Sequence, residues 1–152
     1  MKTVLIIGAS GYLGSEYVRF LSNKNYNIIG TYFKNKNKCY KYKNVKYVYL
    51  NTLNLSTFKN ISKIKIDYVI NFSGYVDHSK YADGGNKVIE YQFNGLLNIV
   101  NHFLNRSINK FINIGSSDEY GTTEKICLET TREKPFSSYS FAKTASTHFL
   151  QM

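Results

Sequence analysis

The chain has 152 residues, 43% of them hydrophobic and 16% aromatic, with no Trp and a formal net charge of +10. It is long enough to bury a core without disulfides or structural metals, and too rich in apolar residues for a disordered segment. The basic excess is spread along the chain, with only three Arg (Arg19, Arg106 and Arg132), so charge alone is weak evidence for a nucleic-acid partner. The early apolar run Val4 to Ile7 is too short for a signal-peptide core, and no stretch reaches the length of a membrane span. A cytoplasmic chain of one domain, with no nucleic-acid and no membrane partner, is expected.

Lys2 to Ile7 reads as a strand, followed at once by Gly8-Ala9-Ser10-Gly11-Tyr12-Leu13-Gly14 and a helical pattern. Leu13, Tyr17 and Leu21 fall four apart, with Phe20 beside them, and are expected to form the face that packs on a sheet. After a turn at Ser22 to Asn25, Tyr26 to Thr31 is a second strand. A polar loop from Lys34 to Asn44 leads to a third strand, Val45 to Leu50. Asp67 to Phe72 is a fourth strand bounded by Ser73-Gly74, and Tyr75 to Asn86 is a long polar connection of the kind that often carries function. A helix from about Lys87 to Asn105 places Phe93, Leu96, Val100 and Phe103 on one side. Lys110 to Ile114 is a fifth strand ending at Gly115, and a last helix begins near Ser138 and runs to the end of the chain. This alternation predicts the α/β class, a Rossmann-like doubly wound parallel sheet. A full sheet of that type has six strands in two halves. The expectation is therefore an incomplete doubly wound domain over residues 1–152, truncated after about five strands.

In the segment Gly8 to Gly14, glycines permit a tight strand-to-helix turn, close approach to a pyrophosphate and close packing of helix on sheet. Free amides and the helix dipole favour phosphate there. A merely structural turn is the alternative, but the position after the first strand and before the first helix is where the mechanism needs it. The acidic residue that would hold a ribose 2′-hydroxyl is missing, since no Asp or Glu lies between Glu16 and Asp67. Thr31, Tyr32 and Lys34 take the ribose end instead. A basic side chain suits a 2′-phosphate, so NADP(H) is favoured over NAD(H). Lys34, Lys36, Lys38, Lys41, Lys43 and Lys46 also read as a solvated loop, or as an aromatic-interleaved strip for single-stranded nucleic acid.

Tyr139 and Lys143 stand four residues apart on one face of the last helix. A phenol with a pKa of about 10 is a poor base at neutral pH, and a neighbouring ammonium favours its ionised form. Tyr139 can then exchange a proton with a substrate hydroxyl or ketone. The hydroxyls of Gly115-Ser116-Ser117-Asp118-Glu119-Tyr120-Gly121 follow the fifth strand and can donate to the oxygen whose charge changes. The glycine turn, this loop and the last helix are expected to converge at the carboxyl ends of the strands.

Together these motifs resemble the extended short-chain dehydrogenase/reductases, specifically the NAD-dependent epimerase/dehydratase group acting on nucleotide sugars, over the whole chain. Gly8, Gly11 and Gly14 match the family's G-x-x-G-x-x-G, and Asn71-Phe72-Ser73-Gly74 resembles the segment lining the cofactor after the fourth strand. Asn94 matches the helix Asn that supports the active-site Lys, and Tyr139 and Lys143 match the base and its partner. Aligned on Tyr120-Gly121, Ser116 falls on the catalytic Ser/Thr, with Ser117 one residue off. The loop is more similar to GDP-4-keto-6-deoxy-mannose reductases and related 4-keto-sugar reductases or epimerases than to dTDP-glucose-type 4,6-dehydratases. The latter carry Thr-Asp-Glu where this chain has Ser116-Ser117-Asp118; Asp118 is either a second acid or a surface Asp. The resemblance implies an NAD(P)-dependent nucleotide-sugar epimerase, dehydratase or 4-keto reductase of cell-surface polysaccharide sugar biosynthesis, with residues 1–152 as its incomplete NAD(P)-binding Rossmann domain and the family's C-terminal substrate-binding region absent. A non-catalytic dinucleotide-binding module or inactive fragment is the alternative. Catalytic roles fall to Ser116, Tyr139 and Lys143. Cofactor contacts fall to Gly8, Ser10, Gly11, Tyr12, Leu13, Gly14, Thr31, Lys34, Asn71, Ser73, Gly74, Asn94, Tyr139 and Lys143.

Cys39 and Cys127 are far apart and read as reduced bystanders, and His78, His102 and His148 are isolated, so no metal site is expected. Apolar side chains at Phe141, Phe149 and Leu150 are expected to be exposed on the last helix, favouring a homodimer or a complementary C-terminal fragment.

Overall fold

Successive residues Val4 to Ile7 are all buried, as a central strand covered on both faces requires. In the computed structural model, which describes residues 1–122 and 126–152, five strands form one parallel sheet: β1 (Lys2–Ile7), β2 (Tyr26–Tyr32), β3 (Val45–Tyr49), β4 (Tyr68–Asn71) and β5 (Lys110–Asn113). Their order is β3-β2-β1-β4-β5. Lys2 is in register with Tyr26, and Val4 with Tyr68, so β1 is flanked by β2 and β4. The expected Rossmann-like sheet is present.

The chain divides into two compact units, Met1–Ser73 with Asn98–Ile114, and Gly74–Leu97 with Gly115–Met152. The first holds the whole sheet, and strand alternation sends its apolar residues to two cores. Val4, Ile6, Ile28 and Ile70 pack with Val18 and Leu21 of helix α1 (Tyr12–Ser22). Leu5, Ile7, Ile29 and Val69 pack on the other face with Phe58, Ile61, Ile99 and Phe103. Each fully buried Ile or Leu is worth about 1.5–3 kcal/mol of transfer free energy, so the paired cores make β1 the most costly strand to disturb.

Phe58 and Ile61 come from a turn the periodicity did not reveal. Leu55–Phe58 is a 3₁₀ turn running into a short helix, α2 (Lys59–Ser62). Asn54 caps its start by accepting from the Ser56 N–H.

The second unit is helical. Helix α3 (Gly85–Ile89) passes through a π-turn at Glu90–Asn94 into α4 (Gly95–Phe103), whose residues from Asn98 on belong to the first unit. Helix α5 (Ser138–Gln151) starts at a capping box, in which the Ser137 hydroxyl accepts from the Ser140 N–H and the Ser140 side chain returns the bond. It packs against α3. A side chain at Gly85 would stand 2.5 Å from the Ser138 hydroxyl, which explains a glycine there.

Three helices differ in part from expectation. Leu13 and Phe20 are each 56% exposed, and α1 buries Gly14, Val18 and Leu21 instead. Gly14 must face the sheet because it packs on Gly8, and Val18 and Leu21 follow it at four and seven residues, while Leu13 is turned about 100° away. The predicted continuous helix from Lys87 is interrupted by the π-turn, which shifts the register so that Leu96, Ile99 and Phe103 are each buried while Val100 is half-buried. On the last helix, Phe141 and Leu150 are exposed as expected, but Phe149 is half-buried and meets the Phe93 ring edge on at 6.1 Å.

Candidate functional site

The glycine turn closes the end of β1 within the first unit. Gly8 has φ +79°, and a Cβ there would come within 2.8 Å of the Ser73 N and 2.9 Å of the Phe72 carbonyl carbon. Those residues follow β4, so the turn lies between neighbouring strands at the point where the order reverses, the usual ligand crevice of such sheets. The Gly11 N–H donates to the Gly8 carbonyl at 2.9 Å, and a Cβ at Gly14 would stand 2.2 Å from that same oxygen. No side chain caps α1, and its first turn holds no acidic residue. The start of α1 therefore presents amides to an anion with no carboxylate in competition. The three glycines form a cradle that side chains would fill, and this fits the pyrophosphate of a dinucleotide.

Thr31 lies at the end of β2 and is buried, its Oγ1 accepting the Gly8 N–H at 3.1 Å. Its hydroxyl thus braces the turn. Ser10 is half-buried, and Tyr12 and Leu13 are exposed. Lys34 is exposed, with Nζ 5.5 Å from the centre of the Phe33 ring, and Lys36 lies over Tyr32 at 5.9 Å. Lys38, Lys41, Lys43 and Lys46 are exposed as well, as a solvated segment would be. Asn71 is buried at the end of β4. It donates to Asn113 Oδ1 at 2.8 Å, and its own Oδ1 accepts from the Ser73 N–H and hydroxyl. A separate cleft of about 730 Å³ at the opposite, amino edge of the sheet is lined by Lys2, Lys24, Lys65 and Asp67 and holds none of these residues.

The second unit holds Ser116, Tyr139 and Lys143, the residues expected to be catalytic. Lys143 is buried, with Nζ 5.8 Å from the centre of the Tyr139 ring. Burial pushes the Lys143 ammonium below its ordinary range, and the Glu119 carboxylate partly opposes this. Ser116 caps a 3₁₀ turn at Ser117–Tyr120, its Oγ accepting from the Asp118 N–H at 3.2 Å. A hydroxyl that accepts there still has its own proton to donate outward. Ser117 is exposed.

Gly74, with φ +150°, lies over the buried Gln92 amide, whose Nε2 donates to the Tyr75 carbonyl at 3.0 Å. Asn94 ends the π-turn and is exposed.

Two residues without a sequence-based role join this cluster. Glu119 is buried and accepts from both the Ser116 N–H and the Thr147 hydroxyl. His78 meets the Tyr139 ring edge on at 5.4 Å, with Nδ1 3.8 Å from Asp118 Oδ2. Neither carries a local signal. A Glu beside an Asp in a polar loop reads as solvated, and only the packing of α5 buries it.

The model of the NAD dependent epimerase/dehydratase family matches residues 4–152. No curated protein sequence gives a significant match. Among solved structures, the UDP-Glc/GlcNAc 4-epimerase of Campylobacter jejuni superposes with a TM-score of 0.87 at 20% identity, over 99% of this chain and 48% of that one. UDP-glucuronic acid 4-epimerase from Bacillus cereus, in complex with NAD, gives 0.81 at 19% identity over 98% and 51%. The ADP-L-glycero-D-manno-heptose-6-epimerase of Helicobacter pylori gives 0.83 at 18% identity over 99% and 50%. At these identities the likeness is one of fold, and the chain spans about half the length of each structure.

Proposed function

The chain belongs to the NAD-dependent epimerase/dehydratase family, and on that premise we propose that it carries the cofactor-binding and catalytic residues of an NAD(P)-dependent nucleotide-sugar epimerase, dehydratase or 4-keto reductase. The observation that carries the proposal is the glycine cradle, in which Gly8 and Gly14 sit where any side chain would strike backbone. Gly8, Gly11 and Gly14 hold the pyrophosphate, with Ser10, Tyr12 and Leu13 beside it and Thr31 bracing the turn. Asn71, Ser73, Gly74 and Asn94 complete the cofactor contacts. When bound, the dinucleotide supplies the hydride acceptor or donor.

Tyr139 takes the proton from a sugar hydroxyl as the carbonyl forms, or returns it as the carbonyl is reduced. Ser116 donates a hydrogen bond to the same oxygen, where charge builds up, an arrangement worth a few kcal/mol in related chemistry. Lys143 sets its buried ammonium beside the Tyr139 ring. The Ser116-Ser117-Asp118 sequence favours a 4-keto reductase or epimerase over a 4,6-dehydratase. A cytoplasmic enzyme supplying sugars for cell-surface polysaccharide, working as a homodimer or with a complementary C-terminal polypeptide, is the setting that fits. Among the described residues no helix is long and apolar enough to cross a membrane.

NADP(H) is the favoured cofactor, although the Bacillus cereus neighbour holds NAD. Support comes from the exposed Lys34 and the lack of any carboxylate between Glu16 and Asp67. Fluorescence titration is expected to show tighter NADPH than NADH binding. Lys34→Ala should narrow the gap by on the order of 1–2 kcal/mol for a partly exposed charge-assisted contact. Equal affinities in the unmodified chain, or a gap untouched by the substitution, would end the NADP assignment; no saturable dinucleotide binding at all would end the wider proposal.

A further inference from the structure

Glu119 is a buried carboxylate bonded to two segments of the second unit. Oε1 accepts the Ser116 N–H at 2.8 Å, and Oε2 accepts the Thr147 hydroxyl at 2.7 Å. Ser116 and Thr147 are widely separated in sequence, and Thr147 lies one helical turn beyond Lys143 on the same face of α5. The site is made for the carboxylate. A Cβ at Gly115 would press to 2.8 Å on Oε1, so glycine there leaves it room. The Glu119 main chain is held too, its carbonyl accepting from the Lys134 N–H at 3.0 Å.

We propose that Glu119 is a positioning residue, which fixes the Ser116 backbone to the helix carrying Tyr139 and Lys143 and, through Thr147, sets a buried carboxylate within a helical turn of Lys143. This rests on the roles proposed above for Ser116 and Lys143. An apolar residue could fill the space at 119, but it could neither accept two hydrogen bonds nor offset a buried ammonium. Of the ionisable groups on these elements, Tyr139 has its ring centre 5.8 Å from the Lys143 ammonium, Asp118 faces His78, and His148 faces Glu133. Asp118 is partly exposed, so solvent screens it, whereas Glu119 is buried.

The test needs no turnover. Glu119→Gln has nearly the same shape, its oxygen can still accept from the Ser116 N–H and its NH2 can donate to the Thr147 hydroxyl, so it removes the charge and little else. Competitive labelling of lysines against pH, read by mass spectrometry, reports the protonation of Lys143 in the full 152-residue chain. In Glu119→Gln the Lys143 midpoint is expected to move to lower pH, with faster labelling near neutrality, and Glu119→Asp should restore much of the original midpoint. An unmoved midpoint in folded Glu119→Gln would overturn the proposal. Should that variant not fold, amide exchange in the unmodified chain decides: a Ser116 N–H that exchanges as fast as an exposed amide also overturns it, and a slowed one supports it. NADPH titration of the same samples tests the functional assignment separately, since a chain that binds no dinucleotide can still show the Lys143 shift.

Discussion

Gly14 illustrates how little room the cradle leaves. Alanine is favoured over glycine by about 1 kcal/mol in a helix interior, and Gly14 lies in the first turn of α1. Against that, the new methyl would stand 2.2 Å from the Gly8 carbonyl oxygen and 2.9 Å from its carbon. These are backbone atoms, so relief requires moving the turn itself, and overpacking of this kind costs about 1–3 kcal/mol or more. The clash wins. Gly14→Ala is expected to lower stability by at least about 1 kcal/mol in urea unfolding and to weaken NADPH binding, because the displaced turn carries the amides proposed to meet the pyrophosphate. At Gly11 the same methyl would be 3.2 Å from the Gly8 oxygen, so Gly11→Ala should be milder. Parental stability and affinity in Gly14→Ala would show that the turn does not need this approach.

At the scale of the element, Asp67 pins the start of the β1–β4 pair. Its Oδ2 accepts the Thr3 N–H at 2.8 Å, Oδ1 meets the Lys2 ammonium at 3.2 Å, and its own N–H donates to the Thr3 carbonyl. The Thr3 bond, followed by Lys2, holds the Asp67 carboxyl below its ordinary range. A carboxylate depressed in the folded state stabilises fully above the unfolded value of about 3.9 and loses that stabilisation as pH falls through the folded value. Melting temperatures should therefore fall more steeply below about pH 4 for the unmodified chain than for Asp67→Asn, which has no proton to take up. Parallel curves would show that Asp67 does not couple folding to acid. Such elements were legible in different degrees. β1 and its glycine turn announce themselves, since a buried parallel strand is a continuous apolar run and the turn has fixed spacing. The start of α5 was legible from Ser138 and the Tyr139/Lys143 pair. The face of α1 was not, because Leu13 and Phe20 are as apolar as the residues that are buried, and only the Gly14–Gly8 approach sets the rotation. The π-turn and the short helix α2 lack a local signature, and the burial of Glu119 depends on residues far along the chain.

For the molecule as a whole, 20 basic residues against 10 acidic ones leave a surface that any polyanion will attract. Attraction of that kind weakens steeply with salt, by orders of magnitude between 50 and 200 mM when several phosphates are engaged. Binding in the proposed glycine cradle would differ, because most of its contacts would be backbone amides and shape, with at most one lysine pairing to phosphate. The two cases can be separated through folding stability, since a ligand held only by the folded chain stabilises it by about 2.7 kcal/mol at one hundred times its Kd. For a chain of this length that corresponds to a rise in Tm of roughly 5–11 °C. NADPH at that multiple of its Kd is expected to give such a rise at both 50 and 200 mM salt. An oligonucleotide should give one that is lost at the higher concentration. If the NADPH-induced rise disappeared in step with that of the oligonucleotide, the dinucleotide would be bound by the basic surface and not by Gly8, Gly11 and Gly14.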